Sequence, residues 1–339
     1  MPEYFVRQLS CHNSVIATGF RITGVILWGL LGLGCLFGWV APARAAAPAG
    51  KLLVAATIVP LGDFCQRLGG DLVQVQVLIP PGASPHVFEP APSVMAKASQ
   101  AQVFVYIGAG MEPWADKLLH SRGRDRLVVV EAVQGVPLLK DTHEHHHEEA
   151  EKPGHTGRHH EAEESADLHQ TGNPHIWLDP VLAQDICRKI ARAFIQADSG
   201  HRAQYEANLK NYLAALDELN REIETRARGW RLRDYVCFHP AFTYFARRYN
   251  LHEVGVIEAA PGREPTPRHL QKLVAAIRRY GIKVVFAEPQ LNPRVAEVVA
   301  QEAGVKVLML DPMGGVPPYG SDYLKLMRYN LAALDEALR

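Results

Sequence analysis

Three histidines and one aspartate stand close to the ends of apolar segments. They are His86 in PPGASPHVFEP, His175 in GNPHIWLDP, His239 in YVCFHPAFTYF and Asp311 in VLMLDPMGG. Each lies at the end of a predicted strand or in the turn after it, where open α/β sheets bind their ligands. Three neutral imidazoles and one carboxylate form a set that closes a tetrahedral zinc shell. Any one of these residues alone is explained as a turn or cap residue, so the prediction of a metal site rests on their shared position.

A second group of histidines lies between residues 141 and 172. This segment is rich in acids and has almost no large apolar side chain. It cannot bury enough surface to offset the entropy of ordering, so we predict a mobile loop. Its histidines are expected to bind further metal ions weakly. They are His143, His145, His146, His147, His155, His159, His160 and His169.

Residues 143–147 also match the zinc-hydrolase motif H-E-x-x-H. A catalytic motif of this kind needs a buried helix with both histidines on one face and apolar packing behind them. The neighbouring residues are acids, further histidines, Pro153 and Gly154. The match therefore reflects composition and does not predict a hydrolase site.

Short apolar runs alternate with amphipathic stretches over most of the chain, which is typical of α/β layers with parallel strands. The predicted strands are KLLVAATI, VQVQVLI, QVFVYIG, RLVVVEA, DYVCFH, EVGVIEA, KVVFAEP and VKVLMLD. Three helices are predicted to begin at an N-cap residue followed by proline, at Asp179-Pro180, Thr266-Pro267 and Asn292-Pro293. Gly281 and Gly304 are expected to end the last two of these helices.

Residues 201–229 contain no helix breaker and repeat apolar side chains at helical spacing. Such a helix would be roughly 40 Å long, enough to run from one lobe to another. We therefore predict an α/β fold with two Rossmann-like lobes, each with a parallel sheet, joined by one long rigid helix, with the metal site at the lobe interface. The predicted division is 47–200 for the N-terminal lobe with its loop, 201–230 for the interdomain helix and 231–339 for the C-terminal lobe.

Residues 1–46 have the organisation of a secretory signal peptide. Arg21 precedes a long apolar stretch, which ends in the small-x-small sequence Ala43-Arg44-Ala45. We expect export to the periplasm, with an uncleaved membrane anchor as the alternative because the stretch is long for a signal core. Cys35 in LGLGC leaves lipidation open. Removal of this segment would leave Cys65, Cys187 and Cys237, which can form at most one disulfide.

Six segments of the chain resemble one family in the family's own order. They are GASPHVFEPAPS, VYIGAGMEPW, the acidic histidine-rich loop, NPHIWLDP, FHPAFTYFARRYNL and FAEPQLNPRVAEVVAQEAGVKVLMLDP. The chain resembles a solute-binding protein of the zinc/manganese class of ABC importers, of the zinc type that carries a histidine-rich loop. The resemblance extends from about residue 51 to residue 335. No single motif is decisive, but six in order are specific.

The resemblance implies two lobes bridged by a long helix, with a transported Zn²⁺ ion at their interface. The family's three histidine ligands correspond to His86, His175 and His239, and its terminal carboxylate corresponds to Asp311. Some zinc members complete the shell with water instead of this carboxylate. Glu288 in FAEPQ also belongs to a family block, as a structural residue or one behind the ligands. The expected partner is the transmembrane subunit of an ABC permease, with the receptor acting as a monomer.

Other functions are weighed against a zinc receptor. A manganese or iron receptor of the same class is disfavoured because manganese-type relatives have a glutamate where this chain has His239, and manganese prefers oxygen ligands. A periplasmic zinc buffer would not need the four framework residues. A zinc enzyme would need an open position and a base, and no further strand-end Glu or His is an obvious base. A nucleic-acid partner has no support, because 36 basic and 36 acidic residues give a formal net charge of +0.

Overall fold

The computed structural model describes residues 50–119, 127–140, 172–258 and 264–339. The predicted signal peptide and the eight histidines of the predicted loop lie outside the described residues. All described residues belong to one structural unit, Gly50–Arg339. No described helix combines the length and the apolar composition that a membrane-spanning segment needs.

The first lobe is built around a four-stranded sheet with the order β2-β1-β3-β4. Its strands are β1 (Leu52–Ala56), β2 (Val73–Val77), β3 (Val103–Tyr106) and β4 (Val128–Glu131). All neighbouring strands pair in parallel. The inner strands β1 and β3 are almost entirely buried. Parallel sheets are covered on both faces, which accounts for the nearly continuous apolar sequences of these two strands.

The second lobe repeats this arrangement with the order β6-β5-β7-β8. Its strands are β5 (Asp234–Cys237), β6 (His252–Val256), β7 (Val284–Ala287) and β8 (Lys306–Met309), again all parallel. Seven of the eight strands lie within the predicted runs, and β6 begins one residue before its run, at His252. In each sheet the first strand lies between the second and the third, so the winding direction reverses beside it. This topological switch point, where α/β sheets bind ligands, lies between β1 and β3 and between β5 and β7.

The helices lie between and after the strands. They are α1 (Val59–Gly69), α2 (Pro92–Ala98), α3 (Ala115–Leu119), α4 (Pro180–Ala197), α5 (Arg202–Arg228), α6 (Thr243–Tyr249), α7 (Pro267–Tyr280), α8 (Pro293–Ala303) and α9 (Tyr323–Leu338). The predicted starts of α4, α7 and α8 are confirmed, and the side chains of Asp179, Thr266 and Asn292 accept hydrogen bonds from the first turn of each helix. Gly281 and Gly304 end α7 and α8 with φ of 65° and 73°. A positive φ of this kind favours glycine.

Helix α5 is the predicted long helix, with 27 residues. It buries one face, formed by Tyr205, Tyr212, Leu216, Leu219, Ile223 and Ala227. This face packs against α1 and α4 of the first lobe and against α6 and α9. The α/β fold with two parallel-sheet lobes and one long helix is therefore confirmed. The exact domain boundaries stay a prediction.

Helix α9 returns from the second sheet to the first lobe. The backbone N–H of Tyr323, at its first turn, donates to the Asp63 carboxylate of α1 at 3.1 Å. The Tyr323 hydroxyl donates to the backbone oxygen of Trp177 at 2.6 Å. Trp177 is two residues after His175, so α9 fastens the segment that carries this histidine.

The three cysteines after the predicted signal peptide are buried free thiols, Cys65, Cys187 and Cys237. Burial raises the pKa of the Cys187 and Cys237 thiols well above the usual value of 9.0. Thiolates are the reactive and metal-binding form of cysteine. The described cysteines are therefore core residues in this structure.

Candidate metal centre

The candidate centre lies at the switch point of the second sheet. His239 comes two residues after β5, and Glu288 comes directly after β7, the neighbouring strand. His175 directly precedes a single 3-10 turn, Ile176–Leu178, that leads into α4, and His86 lies in the proline-rich turn after β2. The fold thus brings three residues that are far apart in the chain to one point between the lobes.

The Nε2 atoms of the three histidines converge. The distance from His175 Nε2 to His86 Nε2 is 3.1 Å, and the distance from His175 Nε2 to His239 Nε2 is also 3.1 Å. One ligand atom from each ring lies within 4.8 Å of the others. Tetrahedral zinc with Zn–N bonds of about 2.0–2.1 Å holds its nitrogens about 3.3–3.4 Å apart. The three rings therefore need only small shifts to become zinc ligands.

Asn173 determines the tautomer of His175. The Asn173 side-chain nitrogen donates to the Pro240 carbonyl at 2.7 Å, which identifies the other side-chain atom as the oxygen. That oxygen accepts the backbone N–H of His175 at 2.9 Å and lies 2.9 Å from His175 Nδ1. Nδ1 must therefore carry the proton and donate it. The Nε2 atom of His175 is left with a lone pair.

Glu288 has the same effect on His239. Its Oε1 atom lies 2.6 Å from His239 Nδ1 and also accepts the backbone N–H of His239 at 3.2 Å. The carboxylate can only accept, so Nδ1 of His239 is the donor, and in the neutral ring Nε2 presents a lone pair. Both side chains are buried, with 6% and 3% exposure. Backing of this kind, from a carboxylate or an amide behind the imidazole, orients metal-binding histidines.

In the neutral form that binds a metal ion, the two rings carry their protons on Nδ1, and their Nε2 lone pairs face each other at 3.1 Å. In that form neither Nε2 atom can donate a hydrogen bond to the other. A cation between the two nitrogens would turn this repulsion into coordination. The three converging rings are a group that could hold a metal ion.

Burial keeps the imidazoles of His86 and His175 neutral. The pKa of His86 is lowered to about 3, and the pKa of His175 is lowered well below its usual 6.5. In both cases loss of water is the larger cause and the neighbouring imidazoles add repulsion. Neutral imidazole is the form that binds a metal ion.

His86 is held differently from the other two histidines. Its side chain is half-buried, and its ring makes a hydrogen bond only to His175 among the described residues. The turn around it is closed by local bonds, from Ala83 N–H to Pro80 O at 3.2 Å and from Val87 N–H to Ser84 O at 3.4 Å. The prolines of PPGASP thus shape the turn, while no buried side chain backs the imidazole.

Asp311 is buried but stands apart from the three histidines. Its Oδ1 atom accepts from Gln290 Nε2 at 2.8 Å and from the N–H groups of Met313 and Gly314 at 2.8 and 3.0 Å. Its Oδ2 atom accepts from the Tyr319 hydroxyl. Asp311 does not line the cavity between the histidines. Its predicted role as a fourth ligand would require it to leave these donors.

The cavity at this point is small, about 10 Å³. Its walls are the three histidines with Ser84, Pro85, Glu288, Gln290, Leu291, Pro312 and Met313. Glu288 was expected to be a structural residue or one behind the ligands. Its contact with His239 Nδ1 places it behind that histidine. The backing role of Asn173 was not predicted, although its position two residues before His175, with proline between, is a signal that could have suggested it.

Comparison with known proteins agrees with this geometry. A family model described as "Zinc-uptake complex component A periplasmic" matches residues 54–337. The high-affinity zinc uptake system protein ZnuA of Bacillus subtilis is 31% identical over 292 residues, which is 85% of this chain and 88% of that protein. The zinc-binding protein AdcA of Streptococcus pyogenes is 29% identical over 309 residues. The match covers 89% of this chain but only 59% of that longer relative.

A solved structure of a relative has a similar fold. A ZnuA deletion mutant crystallised with zinc bound has a TM-score of 0.69 and 31% identity, over 85% of this chain and 99% of that one. These relatives are uptake or binding proteins, which confirms the prediction of a receptor and not an enzyme. The resemblance predicted from the six motifs is also confirmed. Because the family model covers most of the chain, this protein belongs to the ZnuA family, component A of zinc-uptake complexes.

Proposed function

We propose that this chain is the zinc receptor of an ABC importer, which captures Zn²⁺ outside the cytoplasmic membrane and delivers it to the permease. His86, His175 and His239 are the proposed protein ligands. The observation that carries the proposal is the convergence of the Nε2 atoms of His175 and His239, which lie 3.1 Å apart. Each ring is locked in the metal-binding tautomer by a buried side chain behind it.

The donor set favours zinc over manganese. Three imidazole nitrogens suit a four-coordinate zinc ion, whereas manganese prefers largely oxygen ligands. The second candidate, a manganese or iron receptor, would be favoured by an oxygen ligand in the place of His239. The printed names of the two relatives, zinc uptake and zinc binding, support the same choice.

The predicted location and partner follow from the family. A receptor of this kind works outside the cytoplasmic membrane, which agrees with the predicted signal peptide in residues 1–46 and with the description of the family as periplasmic. Its partner is the transmembrane subunit of the importer, and it acts as a monomer. Residues 141–172 bind further zinc weakly and attract cations through their acids. They pass zinc ions on to the tight site and are not themselves the receptor.

Competition dialysis tests this proposal. Equal concentrations of Zn²⁺ and Mn²⁺ should leave zinc bound to the purified chain, at one tight equivalent. Bound manganese would overturn the zinc assignment, and no tightly bound ion would overturn the receptor function. A strain that lacks the chain should need more external zinc to grow and should recover when the chain is restored.

A further inference from the structure

Trp177 is a fully buried tryptophan whose indole N–H bonds to the second lobe. Its Nε1 atom donates to the backbone oxygen of Pro312 at 2.8 Å, although the two residues are 135 positions apart in the chain. Pro312 lines the cavity between the three histidines. Trp177 lies two residues after His175, and the centroids of these two rings are 5.2 Å apart. The indole therefore contacts both a proposed zinc ligand and a residue of the cavity wall.

The chain on either side of His175 is bonded to the second lobe. On the N-terminal side, Asn173 Nδ2 donates at 2.7 Å to the oxygen of Pro240, the residue after His239. On the C-terminal side, the indole N–H of Trp177 donates to the cavity wall. His175 thus lies in a short segment that is attached at both ends to the lobe that supplies His239. This double attachment sets the distance of 3.1 Å between the two Nε2 atoms.

The oxygen of Pro312 is itself held in place by bonds of the neighbouring residues. The backbone N–H of Asp311 donates to Asn330 Oδ1 at 2.9 Å, and its backbone oxygen accepts from Asn330 Nδ2 at 2.7 Å. The Asp311 carboxylate accepts from the N–H groups of Met313 and Gly314 at 2.8 and 3.0 Å. The turn around Pro312 therefore has little freedom to follow a displaced indole.

Burial alone does not account for the indole bond of Trp177. Trp114 is also a buried tryptophan, and its Nε1 atom has no hydrogen-bond partner among the residues that the structure describes. The fold thus tolerates a buried indole N–H without a bond, even though most buried polar groups have one. Trp177 is also fixed through its backbone oxygen, which accepts from the Tyr323 hydroxyl at 2.6 Å.

We propose that Trp177 is a positioning residue for zinc capture, whose indole holds His175 at the distance from His239 that lets both rings bind one ion. This inference rests on the proposed zinc-receptor function. Because the fold already sets this pair of histidines, an arriving ion does not have to order His175. Ordering of side chains and loops on binding costs affinity, and a preorganised site avoids that cost.

A matched pair of tryptophan substitutions tests this role. Trp177→Phe keeps an aromatic ring beside His175 and removes the N–H donor. It should weaken zinc binding about tenfold, because loss of a residue that supports a metal ligand typically costs 10–100-fold in affinity. Trp114→Phe makes the same change at a buried tryptophan that does not line the cavity, and it should leave the zinc affinity unchanged. Chelator competition measures both affinities, and urea unfolding of the zinc-free chains measures both stabilities.

The visible spectrum of the cobalt-loaded chain separates positioning from general destabilisation. Its bands report the geometry around the ion, so they should shift in Trp177→Phe and match those of the wild-type chain in Trp114→Phe. Equal zinc affinities of the two variants, or an unchanged cobalt spectrum in Trp177→Phe, would overturn the proposal. A wild-type chain that binds no zinc would instead overturn the receptor function, so the two failures are distinguishable.

Tyr323→Phe provides the test if Trp177→Phe does not fold. It removes the hydroxyl that fixes the Trp177 backbone and leaves the indole in place. Zinc binding should weaken roughly 2- to 10-fold, the range expected for one hydrogen bond. Tyr205→Phe, which removes a hydroxyl that donates to Asp198 at 2.9 Å, is the control and should bind zinc as the wild-type chain does. Equal zinc affinities of the two tyrosine variants would overturn the proposal.

Discussion

The two sheets have the same strand order, and each has a buried glutamate at its switch point, but the two glutamates serve different purposes. In the first sheet, Glu112 accepts from the Thr57 hydroxyl at 2.5 Å and from the N–H groups of Ile107 and Gly108 at 3.0 and 3.1 Å. Thr57 follows β1 and Ile107 follows β3. The carboxylate thus joins the ends of two neighbouring strands within one lobe.

In the second sheet, Glu288 accepts from the backbone and the ring of His239. The Nε2 atom on the other side of that ring lies 3.1 Å from the Nε2 atom of His175. Topology therefore places a buried carboxylate at both switch points, and the residue that follows the first strand decides its role. Thr57 makes the first position a structural contact, whereas His239 makes the second position half of the proposed metal site.

The largest expected effect is the loss of a ligand at the second switch point. His239→Ala should weaken zinc binding on the order of 100- to 1,000-fold, since structural zinc sites gain roughly 10–16 kcal/mol from about four ligands. Chelator competition measures the change, and His252→Ala, an exposed histidine on β6, is the control. Equal affinities of the two variants would contradict the ligand assignment.

A matched pair of glutamate substitutions tests the comparison itself. Glu288→Gln should weaken zinc binding about tenfold, because the charge behind His239 is lost while its shape is kept. Glu112→Gln should leave zinc binding intact and lower the free energy of unfolding by about 1–3 kcal/mol, because its new amide N–H cannot accept from the strand-end donors.

Urea unfolding of the zinc-free chain, together with chelator competition, would measure both changes. If Glu112→Gln weakened zinc binding as much as Glu288→Gln, the two switch points would not have separate roles.

A smaller effect is expected from pH. The pKa of His86 falls to about 3 in the folded state, and that of His175 lies well below 6.5. Below pH 6.5 the unfolded chain therefore binds more protons than the folded chain, and folding becomes less favourable as the pH falls. The zinc-free chain should lose stability between pH 6.5 and pH 4, measured by its urea midpoint.

The replacement His86→Gln should make this loss less steep, because one of the depressed pKa values is removed. An unchanged pH dependence would show that His86 is not held neutral by burial. His252→Gln serves again as the exposed control, and its pH dependence should equal that of the wild-type chain.

Much of the fold could be predicted because local signals agree with tertiary packing. Buried parallel strands need continuous apolar runs, and the Asx-Pro and Thr-Pro pairs cap helices by contacts within three residues. The three histidines could be predicted because strand ends meet at one edge of a sheet. The neutral state of His86 and His175 depends on burial, which a sequence does not show directly.

The hydrogen-bond partners around the site were harder to predict. The Asp311 carboxylate accepts hydrogen bonds from backbone N–H groups because Gly314 and Gly315 turn the chain, with φ of 72° and 88°. A Cβ atom on Gly315 would lie 2.9 Å from Pro81 in the His86 turn. Contacts of this kind depend on how two distant turns pack, so the hydrogen bonds of Asp311 could not be predicted from the sequence.

The central claim is that the three-histidine site, and not the histidine-rich segment, is the tight zinc receptor. The ends of that segment lie side by side, because Asn173 N–H donates to Leu139 O at 2.7 Å. Residues 141–171 can therefore be replaced by two glycines. Zinc retained after equilibrium dialysis should be one ion per chain in this deletion variant and none when His175→Ala is added. No zinc in the deletion variant, or one ion still held after His175→Ala, would contradict the account.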